Sequence, residues 1–267
     1  MVPVCGPRTH PQYLFLAALC LALTASISAE PLPNIAANQN RNPAGRFEAG
    51  VLTLHLELRK GVWRPDTDDN GVTSEQTENP DGIETYAFAE AGHELQIPGP
   101  LIRVPQDTEL HVTVHNPLAA TIFVHGLEQH PGNEKDFVQL APGETKELRF
   151  SSGTPGSYLY WATTSAEIPV DTDGPMAGAF IVDPPNVRAD DRVFVIQLWA
   201  KDLMHRSFRG QLAINGRSWP ATERLQAHLG QPEHWRILNA SRALIPCTSM
   251  VFISPWMQSA TASAGVH

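Results

Sequence analysis

Histidine is the residue type in this chain with the clearest potential for metal chemistry. The sequence contains 11 histidines and 3 cysteines. His125 ends an apolar run and is followed by Gly126, while His130 lies in a turn-rich segment shortly after it. Imidazole nitrogen is a common metal ligand, so His125 is a candidate metal ligand and His130 could approach the same metal. A lone histidine before a glycine is more often a core or strand-end residue than a ligand, and Pro131 indicates that His130 lies in a loop.

An acidic segment could hold a hard cation. Residues 66–71 read Asp-Thr-Asp-Asp-Asn-Gly, which matches the opening of a calcium loop with alternating oxygen ligands. The position that should supply the final glutamate is Thr77, and Glu78 comes one place late. We therefore interpret the segment as a solvated acidic loop between two strands and do not expect calcium.

Composition excludes several classes of function. The chain has 28 acidic and 19 basic residues, a net charge of −9, so nucleic acid is not an expected partner. The 19 glycines and 23 prolines, with only 18% charged residues, favour a protein of strands and turns. The sequence contains no nucleophile elbow, phosphate loop or dinucleotide fingerprint, so hydrolase and nucleotide-binding functions have no support.

The N-terminus predicts export. Arg8 precedes an apolar run at residues 13–23, and small residues follow, so residues 1–29 are predicted to be a signal peptide. The alternative is a membrane anchor, but the run is shorter than the roughly 20 residues needed to span a bilayer. We therefore expect a secreted or periplasmic protein that is free of the membrane after cleavage. Of the three cysteines only Cys247 would remain, which excludes an intramolecular disulfide.

Hydrophobic periodicity predicts an all-β chain. After a loose linker at residues 30–45, apolar and polar residues alternate at 51–58 and 110–115, which indicates strands with one wet face. Further strands are predicted at 121–125, 146–150, 157–161 and 177–182. No helical period appears, so we expect antiparallel sheets in a Greek-key sandwich over residues 46–185.

A second β region follows a polar, proline-rich boundary at residues 184–191. Over residues 192–244 it offers predicted strands at 193–199, 211–215 and 234–238. These strands are too few to close a sandwich, and alone they would expose an apolar face and unpaired edges. The second domain is therefore either incomplete or covered by something else.

Five separate blocks resemble the first cupredoxin domain of the multicopper oxidases. They fall in register within residues 45–185, at 96–104, 121–127, 140–145, 155–161 and 178–182. The resemblance implies a cupredoxin β-sandwich. It also implies the chemistry of that family: a small-molecule reductant is oxidised at a mononuclear copper, and oxygen is reduced at a trinuclear cluster.

The resemblance also identifies the positions of the copper ligands. In the family the block at 123–126 reads His-x-His-Gly, but here Phe123 replaces the first ligand and only His125 matches. The second His-x-His falls on Trp161 and Thr163, so three of the four first-domain ligands are absent. This domain is not expected to hold a trinuclear cluster, and Trp161 is expected to fill the space of the metal.

The C-terminal segment suggests a change of reading frame. Residues 212–220 and 235–241 resemble the lead-in to the family motif His-Pro-x-His-Leu-His-Gly, which the chain then lacks. Codons that the following residues allow would encode Leu-His-Pro-Met-His-Leu-His-Gly after one base is restored. We therefore interpret residues 245–267 as an out-of-frame tail, in which Cys247 and Met250 are not copper ligands.

Two functions follow from these patterns. The first is a multicopper oxidase-like, copper-binding oxidoreductase that is truncated, lacks most of its ligands and is inactive as written. The alternative is a copper-free cupredoxin module that binds a protein or glycan partner through its loops.

Overall fold

The residue patterns build fifteen strands, and no helix occurs in the parts of the chain that the structure describes. In this computed structural model the described residues are 1, 31–75, 77, 79–132, 135–164, 176–186, 190–201, 209–228 and 230–241. The strands are β1 (Asn34–Ala37), β2 (Arg46–Glu48), β3 (Val51–Trp63), β4 (Ile83–Glu90), β5 (Leu95–Ile97), β6 (Gly99–Pro105), β7 (Glu109–His115), β8 (Ile122–His125), β9 (Val138–Leu140), β10 (Thr145–Ser151), β11 (Gly156–Thr163), β12 (Ala177–Asp183), β13 (Arg192–Lys201), β14 (Arg209–Ile214) and β15 (Trp235–Asn239).

Two larger sheets form a sandwich. The seven-stranded sheet has the order β1-β5-β4-β3-β7-β10, with β2 also paired to β3, and the five-stranded sheet has the order β6-β12-β11-β8-β9. Alternating side chains such as Leu54, Leu56 and Val112 from the first sheet meet Tyr160 and Phe180 from the second in one buried core. The predicted all-β cupredoxin sandwich is confirmed, because period-two alternation gives each sheet one apolar face to bury.

Strand directions and the N-terminal segment differ from expectation. The prediction of antiparallel sheets is wrong for several pairs, since β3 pairs parallel with β7, β6 with β12, and β13 with β15. Greek-key crossovers bring strands that are distant in sequence side by side, so their relative direction is not set by hairpins. The predicted loose linker at 30–45 contains β1, which pairs with β3 and β5 and buries Ile35.

A third sheet, with the order β14-β13-β15, packs against the sandwich. Its inward side chains Val193, Val195 and Leu238 join Ala179 and Ile181 of β12 in a second buried cluster. Ala213 of β14 likewise joins a third cluster on the outer face of the seven-stranded sheet. Residues 184–191, for which a domain boundary was predicted, connect β12 to β13.

Charged residues stabilise this passage. Arg103 of β6 is 10% exposed and contacts Asp183 at 2.7 Å and Asp191 at 2.6 Å. Arg236 of β15 donates to the same Asp191 carboxylate at 2.5 Å. Burial by itself raises the pKa of Asp191, but the hydrogen bonds from the two arginines outweigh it and lower that pKa below its ordinary value. Asp191 therefore stays ionised and ties the third sheet to the sandwich.

Replacing Asp191 tests this connection. Asp191→Asn is expected to lower the free energy of unfolding at pH 7 by about 2 to 3 kcal/mol, because Arg103 and Arg236 lose a buried charged partner. Because the folded pKa is lowered, the contribution is present above the ordinary carboxyl pKa and is lost as pH falls through the folded value. Urea unfolding at pH 7 and pH 3 measures both effects. Glu147→Gln, which removes an exposed pair with Arg149, is the control and should change stability by less than about 0.5 kcal/mol.

Candidate metal site and adjoining cleft

The antiparallel pairing of β8 with β11 brings together the four positions that the resemblance assigns to copper ligands. His125 lies opposite Trp161, and Phe123 lies opposite Thr163. Residues two apart on a strand share a face, so all four positions form one patch. Trp161 packs with the buried cluster on the third-sheet side, whereas its neighbour Tyr160 points into the sandwich core. The patch therefore faces away from the sandwich core.

Aromatic rings surround His125 in this patch. The imidazole stacks on Trp161 with ring centroids 4.9 Å apart and an interplanar angle of 3°. The ring of Phe137 packs against the rings of His125 and Phe123, with centroid distances of 5.5 Å and 5.2 Å respectively. The Nδ1 atom of His125 lies 3.2 Å from the carbonyl oxygen of Asp136. Burial lowers the pKa of His125, and the hydrogen bond to Asp136 only partly opposes this, so the ring is neutral at neutral pH.

The residues of this patch do not fit copper. Cu(II) needs several nitrogen or sulfur donors at once, and neither Phe123 nor Trp161 has a lone pair to offer. Thr163 is fully buried and supplies at most a hydroxyl oxygen. Within the described ranges, no group of three or more His, Cys, Asp or Glu side chains is placed to hold a metal ion. The predicted ligand His125 is thus without partners suited to copper among the residues described.

His130 is buried rather than being a free loop residue. It is 5% exposed and stacks on Tyr158, with centroids 4.1 Å apart and an interplanar angle of 7°. The edge of Phe180 contacts its other side, at a centroid distance of 4.7 Å. A ring nitrogen bonds to the carbonyl of Gly126, and burial lowers the pKa of His130 despite that bond. The sequence placed His130 in a loop, but stacking draws the ring into the protein interior.

A cleft of about 500 Å³ opens beside this patch. Its walls come from the loop after β8, from β11 and from the edge of β15, with lining residues that include Glu128, His130, Tyr158, Leu159, Trp161 and Ile237. Sequence reasoning missed this cleft because its walls lie far apart in the chain. The only signal for it was the set of substituted ligand positions, which includes Trp161.

The carboxylates of the acidic loop at residues 66–71 form hydrogen bonds and an ion pair with other parts of the protein. Asp66 is buried and accepts a hydrogen bond from Gln211 of β14 at 2.8 Å. The carboxylate of Asp68 accepts from the backbone amides two and four residues later, and Asp69 contacts Arg217 at 3.0 Å. Rather than being a purely solvated loop, this segment connects the sandwich with the third sheet.

Known proteins agree with this architecture. A family profile described as "Multicopper oxidase" matches residues 72–187. These residues belong to the multicopper oxidase family. Two copper-containing nitrite reductases are similar to the chain: that of Alcaligenes faecalis is 32% identical over 107 residues, and that of Rhizobium meliloti (strain 1021) is 25% identical over 171 residues. These matches cover 39% and 61% of this chain but only 27% and 42% of the relatives.

Solved multicopper oxidases and nitrite reductases share the fold. The blue copper oxidase of Nitrosomonas europaea superposes with a TM-score of 0.51 at 20% identity, covering 71% of this chain and 60% of that one. The copper nitrite reductase of the same organism gives a TM-score of 0.52 at 20% identity and covers 71% and 67%. The chain spans only 27% and 42% of the length of the two curated relatives named above.

The predictions for the two ends of the chain concern residues that lie almost entirely outside the described ranges. The signal peptide at 1–29 lies outside the described residues except for Met1, and the out-of-frame tail at 245–267 lies wholly outside them. In the described part of the chain no helix is long and apolar enough to cross a membrane.

Restoring histidines tests the geometry of the patch. The combined variant Phe123→His, Trp161→His, Thr163→His is expected to bind about one Cu(II) per chain, because the register places four imidazoles on one face. Copper is measured by elemental analysis after loading and desalting, and by electron paramagnetic resonance. Adding His125→Ala to the variant should reduce the bound copper. Equal copper in the combined variant and the unmodified protein would show that these positions do not converge.

The buried histidines predict acid sensitivity. Because the folded pKa values of His125 and His130 are lowered, the unfolded chain takes up protons first as pH falls below about 6.5. The free energy of unfolding should therefore decrease from pH 7.5 to pH 5.5. His125→Gln and His130→Gln should each flatten this dependence in urea unfolding, by about 1.4 kcal/mol per unit of pKa difference removed. His228→Gln, at an exposed position, should leave the slope unchanged.

Proposed function

We propose that the domain acts as a copper-free cupredoxin module that binds a protein or glycan partner. The observation that carries the proposal is the register of β8 with β11. This register brings together the four positions that the resemblance assigns to copper ligands. Three of these positions are occupied by Phe123, Trp161 and Thr163. Stacking against Trp161 and the bond to Asp136 give His125 a structural role in the same patch. In this proposal the chain keeps the family fold and carries other residues at three of the four positions that the resemblance assigns to copper ligands.

The cleft beside the patch supports a binding role. Its volume of about 500 Å³ lies within the range typical of ligand sites, roughly 300 to 1,000 Å³. Trp161 and Tyr158 provide flat aromatic surface, and Glu128 and Asn239 are polar residues in its lining. Aromatic faces with nearby polar groups suit sugar rings and peptide side chains. The partner would meet the protein outside the cytoplasm if the predicted signal peptide directs secretion or transport to the periplasm.

A second candidate is an oxidoreductase whose copper is held by residues beyond those described. It is favoured by the match of residues 212–220 and 235–241 to the lead-in of the family copper motif. In this case a longer product, read in the restored frame, would oxidise a small-molecule reductant. The chain as given would be a truncated product without turnover.

Copper content separates the two candidates. The purified protein is expected to contain far less than one copper per chain and to show no blue or near-ultraviolet copper absorption after loading. Stoichiometric copper with those absorption bands would support the oxidase and contradict the module. Sequencing the gene around the codon of Leu244 tests the frame directly, because codons incompatible with the histidine motif would eliminate the restored product.

Binding by the cleft is tested with a glycan array and with peptide libraries. Trp161→Ala should abolish any binding detected, since it removes one aromatic wall of the cleft. Phe47→Ala, at an exposed site on β2, is the matched control and should bind normally. Equal binding by both variants would contradict a role for the cleft.

A further inference from the structure

The cleft beside the patch combines a carboxylate with aromatic rings. Glu128 is half-buried, and its Oε1 atom lies so close to Gly132 that an added Cβ there would be 2.1 Å from that oxygen. The carboxylate is therefore packed against the loop that forms one wall of the cleft. Glu128 already makes a contact within the protein, but a carboxylate has about four acceptor sites and can accept further hydrogen bonds. Tyr158 and Trp161 of β11 add aromatic surface to the same lining.

His130 supplies a buried hydrogen-bond acceptor in this lining. One of its ring nitrogens bonds to the carbonyl of Gly126, so that nitrogen must carry the proton. The other nitrogen, Nε2, is buried and has no hydrogen-bond partner among the residues described. Because burial lowers the pKa of His130, the ring is neutral at neutral pH, and Nε2 has a lone pair that can only accept. A buried acceptor without a partner is costly, so a ligand that donates a hydrogen bond beside His130 is favoured.

The charges around the cleft favour a cation over an anion. In the described part of the chain, the residues that line the cleft include no lysine or arginine. Arg236 reaches its edge and donates to Ser157 at 3.0 Å, but its guanidinium is paired with Asp191 at 2.5 Å and lies 3.6 Å from Asp183. The chain as a whole carries a net charge of −9, which attracts cationic ligands to its surface. The expected ligand is therefore positively charged and has N–H groups to donate.

We propose that the cleft binds a basic side chain, lysine or arginine, of a protein partner. This inference rests on the proposed binding role of the cleft and names the chemistry of its partner. The cationic head group pairs with Glu128 and donates a hydrogen bond to Nε2 of His130. Its aliphatic stem packs on the rings of Tyr158 and Trp161, and aromatic rings also attract cations. A neutral glycan can stack on the same rings, but it gains nothing from the negative charge of Glu128.

Pairs of ligands that differ in charge but hardly in shape test the proposal. NMR titration of the full chain at neutral pH compares the N-acetyl, N-methylamide derivatives of arginine and citrulline, and those of lysine and norleucine. A single side chain of this size is expected to bind with a dissociation constant on the order of 1 mM. The cationic member of each pair should bind at least about tenfold more tightly than the neutral member, because it forms charged hydrogen bonds and contacts with the rings.

Variants of the lining show which groups produce this preference. Glu128→Gln removes the charge with little change of shape and should reduce the preference to within about twofold. Glu147→Gln removes the same charge at an exposed position on β10 and should leave the preference unchanged. His130→Phe keeps a ring against Tyr158 but lacks the acceptor, and it should weaken binding of both cationic ligands about fivefold or more. Circular dichroism and urea unfolding establish that each variant is folded.

Several outcomes overturn the proposal. Equal affinity for the charged and neutral members of each pair would contradict it, as would a preference that survives Glu128→Gln. Absence of binding by both cationic ligands up to about 50 mM would show that the cleft does not accept a basic side chain. Tighter binding of a neutral sugar such as cellobiose, lost in Trp161→Ala, would assign the cleft to a glycan, so the proposed function would stand and this inference would fail. Stoichiometric copper in the purified protein would instead contradict the proposed function.

Discussion

The structure depends on the requirement that each apolar sheet face be buried. The two larger sheets satisfy it by facing each other across a core that contains residues such as Leu54, Val112 and Phe180. Their outer faces also carry apolar residues, and the third sheet covers these through Val195, Leu238 and Ala213. Burial at both sandwich faces therefore fixes where β13, β14 and β15 must lie.

Polar contacts determine the register of that third sheet. Asn215 is buried, donates to the carbonyl of Val193 and accepts from the amide of Val195, and its oxygen also accepts from Asn40 of the N-terminal segment. Trp63 donates its indole N–H to the carbonyl of Gly216. Gly216 itself lies so close to the carbonyl of Ile97 that an added Cβ would be 2.1 Å from that oxygen. Apolar burial brings the sheets together, and these directional bonds select one alignment.

The patch formed by residues 123, 125, 161 and 163 combines an ordered strand pairing with aromatic packing. The pairing of β8 and β11 that would bring four imidazoles together is intact. With aromatic residues at two of these positions, the same geometry produces a ring stack in which His125 is desolvated and neutral. Stacked rings contribute packing and exclude water, so the patch stabilises the sheet without a metal. The cleft next to Trp161 is a consequence of where β15 meets β11.

The sequence by itself determined the strands with clear alternation, such as β3 and β7, because alternation depends on residue type and local spacing. It also placed residues other than histidine at three of the four positions that the resemblance assigns to copper ligands. It missed β4, whose residues 87–89 are all buried, since burial on both faces removes the alternation. Only the tertiary structure decided the parallel pairings, the burial of His130 and the cleft. Each of these arises from contacts between residues far apart in the chain, and no local pattern encodes which distant surface a given face will meet.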